Sequence, residues 1–95
     1  MNRFRIAHIR HQGVDLIIVP LDSQFGLKSP ADQDEAIASL QACAAAAGLA
    51  GTVVPVWDAG GGRMRFIAPP NWHPFFQSIG LHYVQQQLNR ELVCP

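Results

Sequence analysis

The stretch RFRIAHIRHQGVDLIIVPL, residues 3–21, predicts a β-hairpin near the start of the chain. Residues 3–10 alternate between two faces, which is typical of a strand. Residues 14–21 form a β-branched apolar run, which indicates a strand buried over most of its length. The short segment between them, residues 11–13, contains a glycine and predicts the connecting turn.

A second hairpin is predicted later in the chain. Residues 52–57 are again rich in β-branched residues, and residues 63–68 return as a strand. Between them lies DAGGG, residues 58–62, which is typical of a turn. A phosphate-binding loop is the alternative interpretation, but such loops deliver backbone amides at the start of a helix. We therefore interpret this segment as a hairpin loop.

The segment after the first hairpin predicts a helix over residues 30–47. Ser29 is placed as its N-cap, Pro30 takes the first helical position, and Asp32 lies three residues after the cap. Gly48 is placed to end the helix, since glycine readily adopts the left-handed conformation found there.

The last part of the chain predicts a broken helix. Asn71 can cap its start, and the helical pattern extends to about Leu92. The apolar residues change from one helix face to another at residues 79–80, so we expect a short helix, a kink and a second helix.

The resulting order ββα-ββα predicts an α+β protein that forms a single domain over residues 1–95. Proline cannot donate to a β-ladder, so the strands that contain Pro20 and Pro55 are expected at the sheet edges. The prediction is a four-stranded mixed or antiparallel sheet in the order 2-1-4-3, with the helices packed on one face.

Four arginines on two strands are the first candidate binding site. Alternation places each pair on one face, and the predicted strand order makes the two strands neighbours. The set is Arg3, Arg5, Arg63 and Arg65. Guanidinium groups bind phosphate and carboxylate, so the face could serve an anion or a nucleic acid. The formal net charge of zero and the opposite orientation of Phe4 and Phe66 favour a solvated face or a subunit contact instead.

An aromatic cluster is the second candidate site, and it would support a small enzyme. Its members are Trp57, Trp72, His73 and Tyr83. Such clusters belong to a core more often than to a site. No spacing of serine, histidine and acidic residues indicates a catalytic triad, and neither a metal-ligand set nor a cofactor motif is recognised. We therefore expect no metal or cofactor and favour a protein that is not an enzyme.

The composition favours a protein that acts with a second copy of itself. Hydrophobic residues make up 48% of the chain and charged residues only 15%, so much of the surface is expected to be uncharged and a homo-oligomer, with a dimer favoured, would cover part of it. The two cysteines, Cys43 and Cys94, are too few for a disulfide framework and are interpreted as thiols in a reducing compartment. No signal-like or membrane-spanning run is seen, so we expect a cytoplasmic location and no membrane partner.

The segment VVPVWDAGGG, residues 53–62, which continues into FIAP at residues 66–69, adds a resemblance. Together with the size of the chain, it resembles the short orphan proteins encoded by mobile integron gene cassettes. The resemblance implies a bacterial and often oligomeric protein of unknown function, and it assigns no functional residue. The leading hypothesis is a small non-enzymatic binding or regulatory protein that acts as a homo-oligomer.

Overall fold

In the computed structural model, which describes residues 2–95, the chain forms a five-stranded mixed sheet with helices on both faces. The strands are β1 (Asn2–His11), β2 (Val14–Pro20), β3 (Thr52–Asp58), β4 (Met64–Phe66) and β5 (Arg90–Cys94). The helices are α1 (Pro30–Ala46), α2 (His73–Ser78) and α3 (Leu81–Gln87), with single 3-10 turns at Ser23–Leu27 and Pro70–Trp72. The α+β class is confirmed, whereas the four-stranded ββα-ββα arrangement is wrong because β5 adds a fifth strand.

The sheet order is β4-β3-β2-β1-β5, which differs from the predicted 2-1-4-3. Only β2 and β3 pair in parallel among the described strands, and α1 makes the crossover between them. The other neighbours are antiparallel. The first hairpin closes through Gln12 and Gly13, whose φ angles of 51° and 78° suit a tight two-residue turn.

Both prolines lie in interior strands, so their predicted place at the sheet edges is wrong. Pro20 is the last residue of β2, where its effect on the ladder is small. Two carbonyls of β3 accept hydrogen bonds from opposite sides: Leu21, which follows β2, donates its N–H to Val56, and Ile67, which follows β4, donates its N–H to Pro55. The backbone of Pro55 therefore points away from β2 and toward β4, which ends at Phe66. The missing donor of Pro55 ends the β3–β4 ladder and leaves the β2–β3 ladder intact.

Two apolar cores lie on opposite faces of the sheet, which corrects the expectation that the helices pack on one face. Helix α1 covers one face with Leu40 and Ala44, packed on residues such as Ile17 and Val53. Helices α2 and α3 cover the other face with Phe76 and Val84. Alternation along the strands supplies both cores, since neighbouring residues in β1, β2 and β3 point to opposite sides.

The predicted cap at Asn71 is wrong, since Asn71 lies inside the 3-10 turn Pro70–Trp72 and α2 begins at His73 without a side-chain cap. Both predicted ends of α1 are confirmed. Ser29 caps α1, because its Oγ accepts the N–H of Asp32 at 3.2 Å. At the other end Gly48 has a φ of 78° and donates to the carbonyl of Ala45 at 3.0 Å. The expected break at residues 79–80 separates α2 from α3, since both residues there have extended backbone.

Strand β5 replaces the predicted end of the last helix. Leu92 and Cys94 are buried and Glu91 and Val93 are exposed, which is the alternation of a strand covered on one face. Asn89, the residue before β5, forms hydrogen bonds to β1 with both its main chain and its side chain. Its Oδ1 accepts the N–H of His8 at 2.9 Å, and its Nδ2 donates to the carbonyl of the same residue at 2.9 Å.

A disulfide joins Cys43 on α1 to Cys94 on β5, with the two Cα atoms 5.7 Å apart. The interpretation of these residues as free thiols is therefore wrong. The cysteines are 51 positions apart in sequence, and they meet because β5 adds to the edge of β1 beneath α1. The bond fastens an edge strand of the sheet to the crossover helix.

We expect reduction of this disulfide to lower the free energy of unfolding by about 2–4 kcal/mol, because the closed loop restricts the unfolded chain. Urea unfolding of the chain with and without dithiothreitol measures the change. A Cys43→Ser/Cys94→Ser double variant is the control, since it should unfold like the reduced chain and be insensitive to the reductant. Equal stability of the oxidised and fully reduced chains would contradict the prediction.

Candidate functional site

The four arginines do not form one face, although each keeps the exposure expected of it. Strands β1 and β4 are separated by β3 and β2, and three strand spacings amount to roughly 14 Å. Arg3 and Arg5 share the side of β1 that carries Ala7, which packs toward α2 and α3. Arg65 is the direct ladder partner of Trp57, so both side chains lie on the other face of the sheet from Arg3 and Arg5. Arg63 lies in the loop before β4. The geometric basis of a shared arginine platform is therefore absent.

Arg3 and Arg5 lie beside an acidic residue of their own chain. Arg3 Nη1 is 3.4 Å from Glu91 Oε1, and both side chains are at least half exposed. Arg5 faces the same glutamate directly across the β1–β5 ladder. An exposed pair of this kind adds little stability, but it offsets the positive charge of this end of the sheet.

The four residues of the aromatic cluster are dispersed over both faces. Trp57 is buried on the α1 side with its ring 5.1 Å from that of Phe25. Trp72 lies on the other side, 5.8 Å from the ring of His11. His73 is exposed, with its Nε2 2.9 Å from the carbonyl oxygen of Ala68. Tyr83 is exposed on α3. The structure brings no two of these four together in one cavity of those described below.

A concave surface beside α1 forms a groove of about 960 Å³. Its walls are α1, the start of β1, the end of β5 and the segment over residues 21–28. The floor is apolar and includes Phe4, Leu21, Phe25 and Leu40. The Cys43–Cys94 disulfide forms part of the wall, so the bond that fastens β5 also shapes the groove.

The α1 surface along this groove carries no charge. From residue 36 to residue 57 the sequence contains no charged side chain, and the acidic residues of α1 are confined to its first two turns. After residue 35 the exposed positions of the helix are alanines and Ser39, and Ser39, Ala42 and Ala46 line the groove. Lys28 stands at the rim of the groove, while the carboxylate of Asp22 accepts the N–H of Gln24 at 2.9 Å. Such a surface can bind an apolar partner, with Asp22, Lys28 and Ser39 among the few polar residues in its lining.

The remaining candidates for chemistry are tied to the backbone. His8 Nε2 lies 2.8 Å from the carbonyl oxygen of Ala50, which places its ring between β1 and the start of β3. Within residues 2–95 no three His, Cys, Asp or Glu side chains stand close enough together to hold a metal ion. None of the helices described has the length and apolar character needed to cross a bilayer.

Comparison with known proteins returns no relative. No protein-family model matches the chain, and no match was found among the curated proteins or the solved structures compared with it. The resemblance to integron cassette proteins therefore stays a prediction, and the properties of this surface have to be argued from its own residues.

The 3-10 turn Ser23–Leu27 forms one end of the groove and is held tightly in place. Phe25 is 4% exposed and packs on Trp57, and the carbonyl of Phe25 accepts a hydrogen bond from Gln33 Nε2 on α1 at 3.0 Å. Gly26 lies flat against the indole of Trp57. A Cβ atom at residue 26 would overlap the indole nitrogen, so the close approach requires glycine.

We expect Gly26→Ala to lower the free energy of unfolding by about 1–3 kcal/mol, because the added methyl group would overlap the indole of Trp57 and the ring or the turn would have to shift. Urea unfolding measures the loss. Gly80→Ala is the matched control, since Gly80 also has a negative φ and a Cβ there would meet nothing within 4 Å. Equal effects of the two substitutions would show that the contact with Trp57 is unimportant.

Proposed function

We propose that this chain is a small non-enzymatic binding protein that acts as a homodimer, and that the groove beside α1 is the dimer interface. The observation that carries the proposal is the uncharged surface of α1 next to an apolar groove of about 960 Å³. Helices on protein surfaces normally present a charged or polar outer face, and a helix that is apolar on all sides is normally covered. No exposed position in the second half of α1 is charged, which supports a partner over this stretch.

The shape of this surface favours a second copy as the partner. The convex helix and the concave groove lie side by side, so a twofold axis would place α1 of each copy in the groove of the other. Alanines at the contact allow two helices to approach closely. A stable interface covers about 800 Å² per partner, which is roughly one seventh of the 5791 Å² exposed by the chain.

The charges of α1 lie at the start of the helix. Asp32, Asp34 and Glu35 stand in its first two turns, and its last turn carries no charge. An antiparallel pair would oppose the two helix dipoles, which is favourable, and would keep the acids of the two copies at opposite ends of the contact. The contact itself would then involve the uncharged second half of each helix.

We expect the wild-type chain to form a dimer at micromolar concentration and Ala42→Glu to convert it to a monomer. The substitution places two buried charges at the twofold contact, which costs several kcal/mol per dimer. Multi-angle light scattering coupled to size-exclusion chromatography measures the mass. Gln85→Glu on α3 is the matched control, since it adds the same charge to an exposed helix on the other face. A wild-type monomer at one hundred micromolar would refute the proposal.

Two further expectations from the sequence have less support. Nucleic-acid binding by the arginines would need a shared face, which the strand order separates, so we propose no second function on that basis. A cytoplasmic location is opposed by the Cys43–Cys94 disulfide, because structural disulfides persist mainly in oxidising compartments. Thiol trapping in the cells that express the chain distinguishes a reducing cytoplasm, where both cysteines would be free, from an oxidising compartment, where they would be joined.

A further inference from the structure

A second cavity, of about 650 Å³, lies on the opposite side of the Ser23–Leu27 turn from the groove. It opens between this turn and the β3–β4 hairpin. Two residues singled out from the sequence for different reasons, Trp57 and Arg65, line it together. They are direct partners in the β3–β4 ladder, so the register of that ladder fixes them side by side.

The indole N–H of Trp57 is a donor without a partner. The side chain is only 7% exposed, and within residues 2–95 no hydrogen bond to its nitrogen is formed. Among the described residues no side-chain nitrogen or oxygen is both sealed from solvent and unpaired, so the indole nitrogen keeps some contact with solvent, and Trp57 lines the cavity. Gly26 keeps it accessible, because any side chain at that position would cover the nitrogen. A buried indole N–H normally finds an acceptor.

Arg65 supplies a cationic donor next to the indole. Its side chain is exposed, and the salt bridge found within residues 2–95 involves Arg3 instead. The nearest acid in the cavity wall is Asp58, whose Oδ1 already accepts the N–H groups of Gly60 at 2.7 Å and Gly62 at 3.2 Å. One charged donor and one neutral donor therefore face the same space and have no acceptor in the chain.

The remaining wall is mixed. Ser23 and Gln33 are polar, whereas Leu27, which is 86% exposed, lies on the cavity together with Phe66 and Ile67. A ligand with an apolar or aromatic body would cover the apolar part while its polar end met Trp57 and Arg65. Binding sites use a small number of convergent polar groups in this way to fix the orientation of an apolar ligand.

We propose that this cavity binds a small carboxylate that carries an aromatic or apolar body. A guanidinium group and an indole N–H together can hold the two oxygens of one carboxylate. A singly charged group fits better than a phosphate monoester, because the carboxylate of Asp58 in the wall repels a second negative charge. The site is independent of the proposed dimer interface, and it gives the binding protein a class of ligand.

Indole N–H resonances in a nitrogen-15 correlation spectrum test this inference. The chain has two tryptophans, so a Trp72→Phe variant leaves the signal of Trp57 alone. The probe is sodium benzoate, with phenyl phosphate and benzamide as comparison ligands. We expect a saturable downfield shift of the Trp57 signal with benzoate, and weaker binding of the other two.

Two arginine variants separate the site from general charge effects. Arg65→Gln should weaken benzoate binding about tenfold or more, which is the usual effect of removing one charge-assisted hydrogen bond. Arg63→Gln is the matched control, because it removes the same charge from the same hairpin outside the cavity wall. The Ala42→Glu variant should bind benzoate as the wild type does, so failure of the dimer proposal does not affect this result.

Four outcomes would overturn the inference. The first is no movement of the Trp57 signal at millimolar benzoate, and the second is equal weakening by both arginine variants. Tighter binding of phenyl phosphate would show that the site prefers a dianion. Equal binding of benzamide would show that only the apolar wall matters.

Discussion

Two parallel strands cannot be joined by a tight turn, so the pairing of β2 with β3 requires a crossover, and α1 provides it. Most of the architecture depends on this pairing. It places the two hairpins side by side with β2 and β3 in contact. Strands β1 and β4 are then the outer strands of the paired hairpins, and β5 is added beyond β1. It also assigns α1 to one face, so α2 and α3 have to cover the other. The two apolar cores are the consequence of that division.

The outer edge of β1 explains both the fifth strand and the disulfide. Its backbone groups over residues 2–6 would lack partners without β5, and the ladder from Asn2 to Ile6 supplies them. The pairing of β5 with β1 places Cys94 beneath α1, close enough to Cys43 on that helix for the disulfide to form. The strand is only five residues long, so it makes few packing contacts, and the disulfide adds a covalent link to α1. The same strand then forms one wall of the groove.

Local structure could be predicted from the sequence because it depends on neighbours in the chain. The turn at residues 11–13, the cap at Ser29 and the break at residues 79–80 all rest on signals within a few positions. Strand order could not be predicted in this way. A proline removes a donor on one side of its strand only, so Pro55 is compatible with an interior strand, and the sequence does not tell which side of the strand lacks the donor. Strand β5 was missed because its alternation spans five residues, which also continue a helical pattern. The lack of charge over residues 36–57 was visible in the sequence and could have indicated the groove.

The candidate sites show the same limit from the functional side. Trp57 and Arg65 were each recognised as residues of interest, yet within different sets, because their partnership depends on the register of β3 with β4. The Ser23–Leu27 turn separates their cavity from the groove, with Phe25 facing the groove and Gly26 facing the indole. One short element therefore forms a wall of both surfaces. Occupancy of one surface can influence the other only through a change in the position of this turn, since coupling requires two arrangements that each partner binds differently. Because Phe25, Gln33 and Trp57 hold the turn at three points, the two surfaces should act independently.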